Sequence, residues 1–399
     1  MSAIPKFDVV DPSREAGNDF GEETRGEEQP NPYRQTPGQA LAKIGRLGAA
    51  IPLDELPSFN DFSEGGQRSG EAIAIAGPSG VGKTSLGVMY AKRSVELGRP
   101  TSGYFVDQSP AAASVRLGQL FGLDRAELED PKRFPGVPME LDRLVAALPA
   151  PLFFTEVDED GVNVTANAAD LRLVAAGRES TLIVDSGNLA PVPNVNGDEE
   201  RLRIRDTALA IARERKKYDM AVVVTYETNR SAGPLAVYGP GLLDLEFRVD
   251  LLATVAESRA IAHAFDRVVV MFGDPERAVR AFFVKNRRGR KGDWWMRMDR
   301  VTSGWAEIPP EVAEEQIRHD AEERRDGKSA KYAATVLDFL KKAEIEGKAP
   351  CTKAQIEAGT GLHHRAVSLG LDALVPEKAY IDTTAKRQGA RALYRAFTR

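Results

Sequence analysis

The stretch GPSGVGKT, Gly77 to Thr84, limits the folds open to this chain more than any other feature. It has the pattern G-x-x-x-x-G-K-[ST]. It follows the apolar run EAIAIA and precedes TSLGVMYAKRSVEL, whose apolar residues recur at helical spacing. A strand, a tight glycine turn and a helix in that order aim converging backbone N–H groups and a helix dipole at one anion. Gly77, Pro78, Ser79, Gly80, Val81, Gly82, Lys83, Thr84 and Ser85 are therefore the expected cradle for nucleotide phosphates. Within it Lys83 is suited to reach the β- and γ-phosphates and the Thr84 hydroxyl to ligate Mg2+.

The surrounding pattern agrees with the sheet that such a loop needs. The β-branched runs SGYFVDQ, TLIVDS and MAVVVTY alternate with helical stretches such as RLRIRDTALAIARERKKY, which predicts an α/β domain over residues 46–310 with a mostly parallel sheet. After residue 264 come DRVVVMF, RAVRAFFVKN and DWWMRMD, joined by turn signals, an expected antiparallel extension of that sheet. A charged linker helix is expected at 311–330. Residues 331–399 then read as a small winged helix. YAATVLDFLKKAEI gives one helix, TKAQIEAGTGLHHRAVSLGLDAL gives two around Gly359-Thr360-Gly361, and the strands AYIDTT and ALYRAF flank AKRQGAR. Residues 1–45 are rich in Pro, Gly, Glu and Asp without an apolar period and are expected to be a disordered acidic tail.

A net charge of -5 over 399 residues argues against a protein that coats nucleic acid with its whole surface. Charge location says more, because residues 331–399 carry an excess of Lys and Arg while residues 1–40 are acidic. One cysteine and four histidines give neither a disulfide framework nor zinc-type spacing, which fits a reducing, cytoplasmic compartment. No apolar run approaches the roughly 20 residues that span a bilayer, so no membrane partner is expected. Asp185 ends the apolar run STLIVD. A carboxylate at the end of a parallel strand beside a phosphate loop is suited to hold Mg2+ through its water shell, although an Asp there also simply opens a loop.

The order of these parts resembles the RecA superfamily, in particular its hexameric DnaB-like and RepA-like helicases and the RadA-like ATPases. LPSFNDFSEGGQRSGEAIAIAG is similar to the family's entry into the first core strand, GYFVDQS to the strand whose acidic end carries the catalytic glutamate, and LIVDSGNLA to the magnesium-aspartate strand. VVVTYETNR resembles the sensor strand, and VKNRRGRKG the Lys-x-Arg strand end that hexameric members insert into a neighbour's ATP site.

The resemblance covers about residues 50–308 and implies ATP and Mg2+ as ligands, with Asp107 as general base, or Gln108 if the register slips. It also implies Glu227, Asn229 and Arg230 as sensors of the γ-phosphate, and Lys285 and Arg287 as cations offered to the next subunit of a homo-oligomeric ring, a hexamer above all, or a filament. The loops 187–200 and 231–258 would line a pore for single-stranded DNA, with Tyr238 or Phe247 stacking on bases. Two departures stand out. Asp107 is one methylene shorter than glutamate, and Glu227 replaces a glutamine. A carboxylate facing a triphosphate is repelled unless it is protonated, bridged by a cation or turned away.

Elsewhere the basic run Lys285, Arg287, Arg288, Arg290 and Lys291 leads to Trp294 and Trp295, at least one of them expected in the core. A DNA-binding winged helix would present His363, His364, Arg365 and Ser368 to the major groove of duplex DNA, and Lys386, Arg387 and Arg391 to phosphates. Winged helices also serve as protein-interaction modules. The readings that remain are an ATP-driven DNA motor, a RadA-like remodelling ATPase, and an ATP-controlled sequence-specific DNA-binding regulator or replication initiator.

Overall fold

A computed structural model describes residues 49–156, 164–190, 200–228, 242–243, 249–255, 258–348, 351–374, 379–381 and 393–396. The acidic tail expected at 1–45 lies outside them. Nine strands form one sheet: β1 (Ala72–Gly77), β2 (Thr101–Phe105), β3 (Leu152–Glu156), β4 (Thr181–Asp185), β5 (Ala221–Glu227), β6 (Arg267–Asp274), β7 (Ala278–Asn286), β8 (Asp293–Met298) and β9 (Trp305–Ile308). Their order is β3-β2-β4-β5-β1-β6-β7-β8-β9. The pairs from β3 to β6 are parallel, and those from β6 to β9 antiparallel.

The alternation of side chains along the strands splits the core between the two faces of the sheet. Ala72, Ala74 and Ala76 of β1, with Val222 and Val224 of β5, meet Val164, Ala168 and Leu171 of the helix Val164–Ala175 and Ile204, Ala208 and Ile211 of the helix Glu200–Tyr218. Ile73 and Ile75 face the opposite way, toward Leu86, Met89 and Tyr90 of the helix Lys83–Glu96. Both faces are covered, so these strands read as continuous apolar runs rather than as alternating ones.

The antiparallel extension has an aromatic core. Phe59, Phe283 and Trp294 pack with ring centroids 5.2–6.0 Å apart. Both tryptophans of the pair are buried, Trp294 at 3 % and Trp295 at 5 % exposure.

Pro310 opens a helix that runs unbroken to Ile345. The linker helix expected at 311–330 and the first helix of the C-terminal segment are therefore one element, and the boundary expected at 330/331 falls inside it. Its last turns bury Val336 and Leu340 against Ile356, Val367 and Leu371. The helix Lys353–Thr360 begins at a capping box between Thr352 and Gln355, and the helix His364–Leu374 follows. Three short strands, β10 (Cys351–Thr352), β11 (Ala379–Ile381) and β12 (Leu393–Ala396), pair antiparallel in the order β10-β12-β11.

Candidate functional site

The glycine turn lies where strand order makes a crevice. β1 is followed in the chain by β2, but in the sheet β5 and β4 stand between them, so the carboxyl ends of β1, β5 and β4 open onto one space. The turn leaves β1 after Gly77, and the helix starts at Lys83 behind Gly82. Gly82 has φ +92°, a left-handed conformation, and a Cβ there would stand 2.4 Å from Cζ2 of Trp305. The indole of β9 thus lies directly against the loop. Lys83 Nζ donates to the carbonyls of Gly77 at 2.9 Å and Pro78 at 3.0 Å.

The acidic side of the crevice is built by neighbouring strand ends. Asp185 is buried at 4 % exposure. Its Oδ2 accepts from the Thr84 hydroxyl at 2.6 Å, and its Oδ1 accepts from the Thr225 hydroxyl of β5. A hydroxyl and a carboxylate held together at the foot of a phosphate loop form the hard oxygen donor set that Mg2+ prefers. These residues fit the ion, and Thr84 and Asp185 would hold it.

Asp107 follows β2, next to Val106, whose N–H donates to the Asp185 carbonyl at 2.6 Å. The helix Pro110–Leu120 is capped by Ser109, not by Asp107. That leaves Asp107 lining the cleft with Gln108, Lys83, Thr84, Asp185 and Glu227. The cleft has a volume of about 820 Å3.

Charges in the cleft act on one another. Burial lowers the pKa of Lys83, while Glu227, Asp185 and Asp107 oppose that shift, Glu227 most strongly. Glu227 sits beside Gly77 in the β1–β5 register, and its backbone N–H donates to Asn188 Oδ1 at 2.7 Å. Arg116, on the helix Pro110–Leu120, also lines the cleft; burial lowers its pKa first, and the Asp185 carboxylate opposes that. The other two expected sensors, Asn229 and Arg230, lie outside the described residues, as do 191–199, Tyr238 and Phe247.

The basic run is elsewhere. β7 is antiparallel to β6, so Asn286 pairs with Arg267, which in turn pairs with Ile73 near the amino end of β1. Lys285 and Arg287 therefore stand at the edge of the sheet opposite the phosphate loop of the same chain. Lys285 Nζ donates to the carbonyls of Ala262 and, at 2.6 Å, Phe265. Burial, then Arg287, push its pKa down to about 8. Arg287 pairs with Asp266 at 3.2 Å and donates to the His263 carbonyl at 3.2 Å. Arg288 pairs with Glu71 at 3.2 Å.

In the C-terminal segment, His363 Nδ1 accepts from the Ala366 N–H at 3.2 Å and so caps the helix His364–Leu374. His364 Nδ1 lies 2.5 Å from Glu357 Oε1, and Ser368 bonds back to the His364 carbonyl. Arg365 is exposed. Lys386, Arg387 and Arg391 lie outside the described residues. Among the described residues no helix is long and apolar enough to cross a membrane.

No family model and no curated protein matches the sequence. Solved structures do match. One of them, an isolated ATPase domain, superposes with a TM-score of 0.54 at 13% identity, over 68% of this chain and 96% of its own. A DnaB-like replicative helicase, described with its interactions with primase, gives the same score and identity over 68% of this chain and 67% of that one. At such identity the likeness concerns the fold alone. The chain shares the α/β fold of these ATPase domains, a mostly parallel sheet with an antiparallel extension.

Sequence reasoning missed four residues of the cleft and its support. Thr225 carried a weak signal, since it lies two residues before Glu227 in a strand and shares its face. Asn188 falls in the loop 187–200, but its bond to the Glu227 N–H was not foreseeable, and Arg116 and Trp305 carried no signal, because these contacts are distant in sequence.

Proposed function

We propose that this chain is an ATP-hydrolysing DNA motor or remodeller of the RecA, DnaB and RepA type, with ATP sites shared between subunits of a homo-oligomeric ring, hexameric above all. The observation that carries the reading is the convergence of Lys83, Thr84, Asp107 and Asp185 on one cleft at the carboxyl edge of a RecA-like sheet. The backbone N–H groups of residues 79–85 and the Lys83 side chain bind the phosphates. Thr84 and Asp185 hold Mg2+, which supplies charge neutralisation at the phosphates when bound. Asp107 orients the attacking water and accepts its proton.

Arg287 stands at the amino end of a six-residue strand whose carboxyl end carries the loop, roughly 16 Å away along the strand at about 3.3 Å per residue, and the Lys285 ammonium is bonded to carbonyls just before β6 at that same end. The nucleotide within their reach is a neighbour's. Each is tied to the end of the helix Ser258–Ala264 within its own chain, so service to a neighbour requires exchange of those bonds. Arg287→Ala subunits are expected to bind ATP and to hydrolyse it about a thousandfold more slowly. Mixing them with Lys83→Ala subunits restores part of the activity, because some interfaces then combine an intact loop with an intact Arg287. An unrestored mixture refutes the shared site.

A second reading draws on the C-terminal segment. Its sequence of helix, strand, helix, helix and two strands, with sheet order β10-β12-β11, supports a winged helix, and exposed Arg365 supports duplex DNA as its partner. An ATP-controlled, sequence-specific DNA-binding regulator or replication initiator would show strong preference for one duplex sequence. A motor shows little such preference and an ATPase stimulated by single-stranded DNA.

A further inference from the structure

Three carboxylates act on the phosphate-loop lysine, and one of them, Glu227, has no place in the chemistry just described. Asp185 is engaged by two hydroxyls. Asp107 stands beyond the end of β2, where water can be activated. Glu227 is exposed, lines the same cleft, and stands beside Gly77, the first residue of the loop. Its backbone is fixed on both sides: its own N–H donates to Asn188 Oδ1 at 2.7 Å, and the N–H of Thr228 donates to the Gly77 carbonyl at 3.2 Å. The side chain lines the cleft with Lys83, and its charge acts on that lysine. Among the described residues no hydrogen-bond donor engages it, and Lys83 Nζ is bonded to two carbonyls rather than to Glu227.

A nucleoside diphosphate ends at the β-phosphate. A triphosphate adds a further anionic group at the position where Lys83 reaches toward the γ-phosphate, and it does so beside a carboxylate. Like charges a few ångströms apart at the rim of a protein cleft repel strongly enough to change an affinity by an order of magnitude. Neutral glutamine at this position imposes no such penalty.

We propose that Glu227 is a specificity-determining residue that makes this cleft favour a nucleoside diphosphate over the corresponding triphosphate. The inference rests on the reading of the cleft as a nucleotide site. Its consequence for a subunit is a bias toward the product-bound state.

The test measures binding of Mg-ADP and of a Mg-bound, non-hydrolysable ATP analogue to the full chain by isothermal titration calorimetry. The variants are Glu227→Gln and Glu227→Ala, with Lys83→Ala as control. Both Glu227 variants are expected to tighten the triphosphate about tenfold or more while changing the diphosphate by less than about twofold. Tightening by Gln alone identifies a newly gained hydrogen bond rather than relieved repulsion and overturns the proposal. So does an equal shift for both nucleotides, or no shift. A wild-type chain that binds neither nucleotide, or a Lys83→Ala chain that binds both unchanged, overturns the nucleotide-site reading itself. Thermal unfolding of each variant shows that the exposed position leaves the fold intact.

Discussion

Replacing Gly82 by alanine is expected to cost the chain fold stability through two separate geometric effects. The first is backbone conformation: with φ at +92°, a Cβ at this position is opposed by its own chain, by about 1–2 kcal/mol. The second is packing. The added methyl would stand 2.4 Å from Cζ2 and 3.2 Å from Cη2 of Trp305, both well inside ordinary contact. Trp305 is only 1 % exposed, its backbone N–H donates to Met89 Sδ at 3.5 Å, and β9 is paired to β8. The indole is buried on a strand held by its pairing, so the added methyl overpacks it, and overpacking of that kind costs about 1–3 kcal/mol. Together the loss is about 2–5 kcal/mol in urea unfolding followed by circular dichroism. A Trp305→Phe background separates the two effects. There the cost of Gly82→Ala is expected to shrink by about 1–3 kcal/mol, leaving only the backbone part. A Gly82→Ala chain within about 0.5 kcal/mol of wild type, or a cost unchanged by Trp305→Phe, refutes the argument that the indole seats the loop.

Two other perturbations follow from the opposite edge of the sheet. Arg267 and Glu71 form a pair at 2.7 Å with side chains 2 % and 4 % exposed, so Arg267→Met leaves a buried carboxylate with only the exposed Arg288 as partner and is expected to cost about 3–5 kcal/mol in urea unfolding; restoration of most of that loss by a second change, Glu71→Leu, would show that the poorly compensated charge is its source. Lys285 has a folded pKa of about 8 against an ordinary 10.5, through burial and Arg287, with Asp266 opposing and Arg215 reinforcing the shift. The unfolded chain therefore holds a proton that the folded chain has released between those two values, and stability contributed by this group rises with pH across that window. Wild type is expected to gain thermal stability over Lys285→Met as pH rises from about 7.5 to about 10, and a constant difference would contradict the shift.

Much of the architecture is legible in the residues because parallel strands covered on both faces announce themselves as apolar runs. β1, β2, β4 and β5 stand out in this way, and β6, β7 and β8 through the turn signals between them. β3 and β9 do not. β3 is an edge strand whose Phe153 is 44 % exposed, and β9 has four residues, too few to show a period. A single helix, Pro310–Ile345, runs through the division expected at 330/331, which the charged residues on its exposed face do not announce; what keeps the helix continuous is burial of Ala313 and Ile317 at one end and Val336 and Leu340 at the other. In the cleft, Lys83, Thr84 and Asp185 are legible because strand–loop–helix spacing fixes them locally. Thr225 and Arg116 are not, since their approach to Asp185 depends on sheet order and helix packing.

The two edges of the central sheet differ in kind, and the difference bears on why the basic run exists in an acidic protein. At the carboxyl edge, Asp107, Asp185 and Glu227 gather around one lysine and the half-buried Arg116. At the amino edge, Glu71 and Asp266 are met by Arg267, Arg288, Arg215 and Arg287, with Lys285 on neighbouring carbonyls. The inner pairs, Arg267–Glu71 and Arg215–Asp266, are buried on the arginine side and serve the fold. Arg287 and Arg288 are the outer members, 47 % and 44 % exposed, and their partners already have an inner arginine each. Removing an outer arginine therefore leaves each carboxylate its buried partner, whereas removing an inner one leaves it only an exposed arginine. In the proposed ring, where one subunit's edge meets a different edge of the next, an exposed arginine whose partner is already neutralised is the one that can be given up to a neighbour's phosphate at small cost.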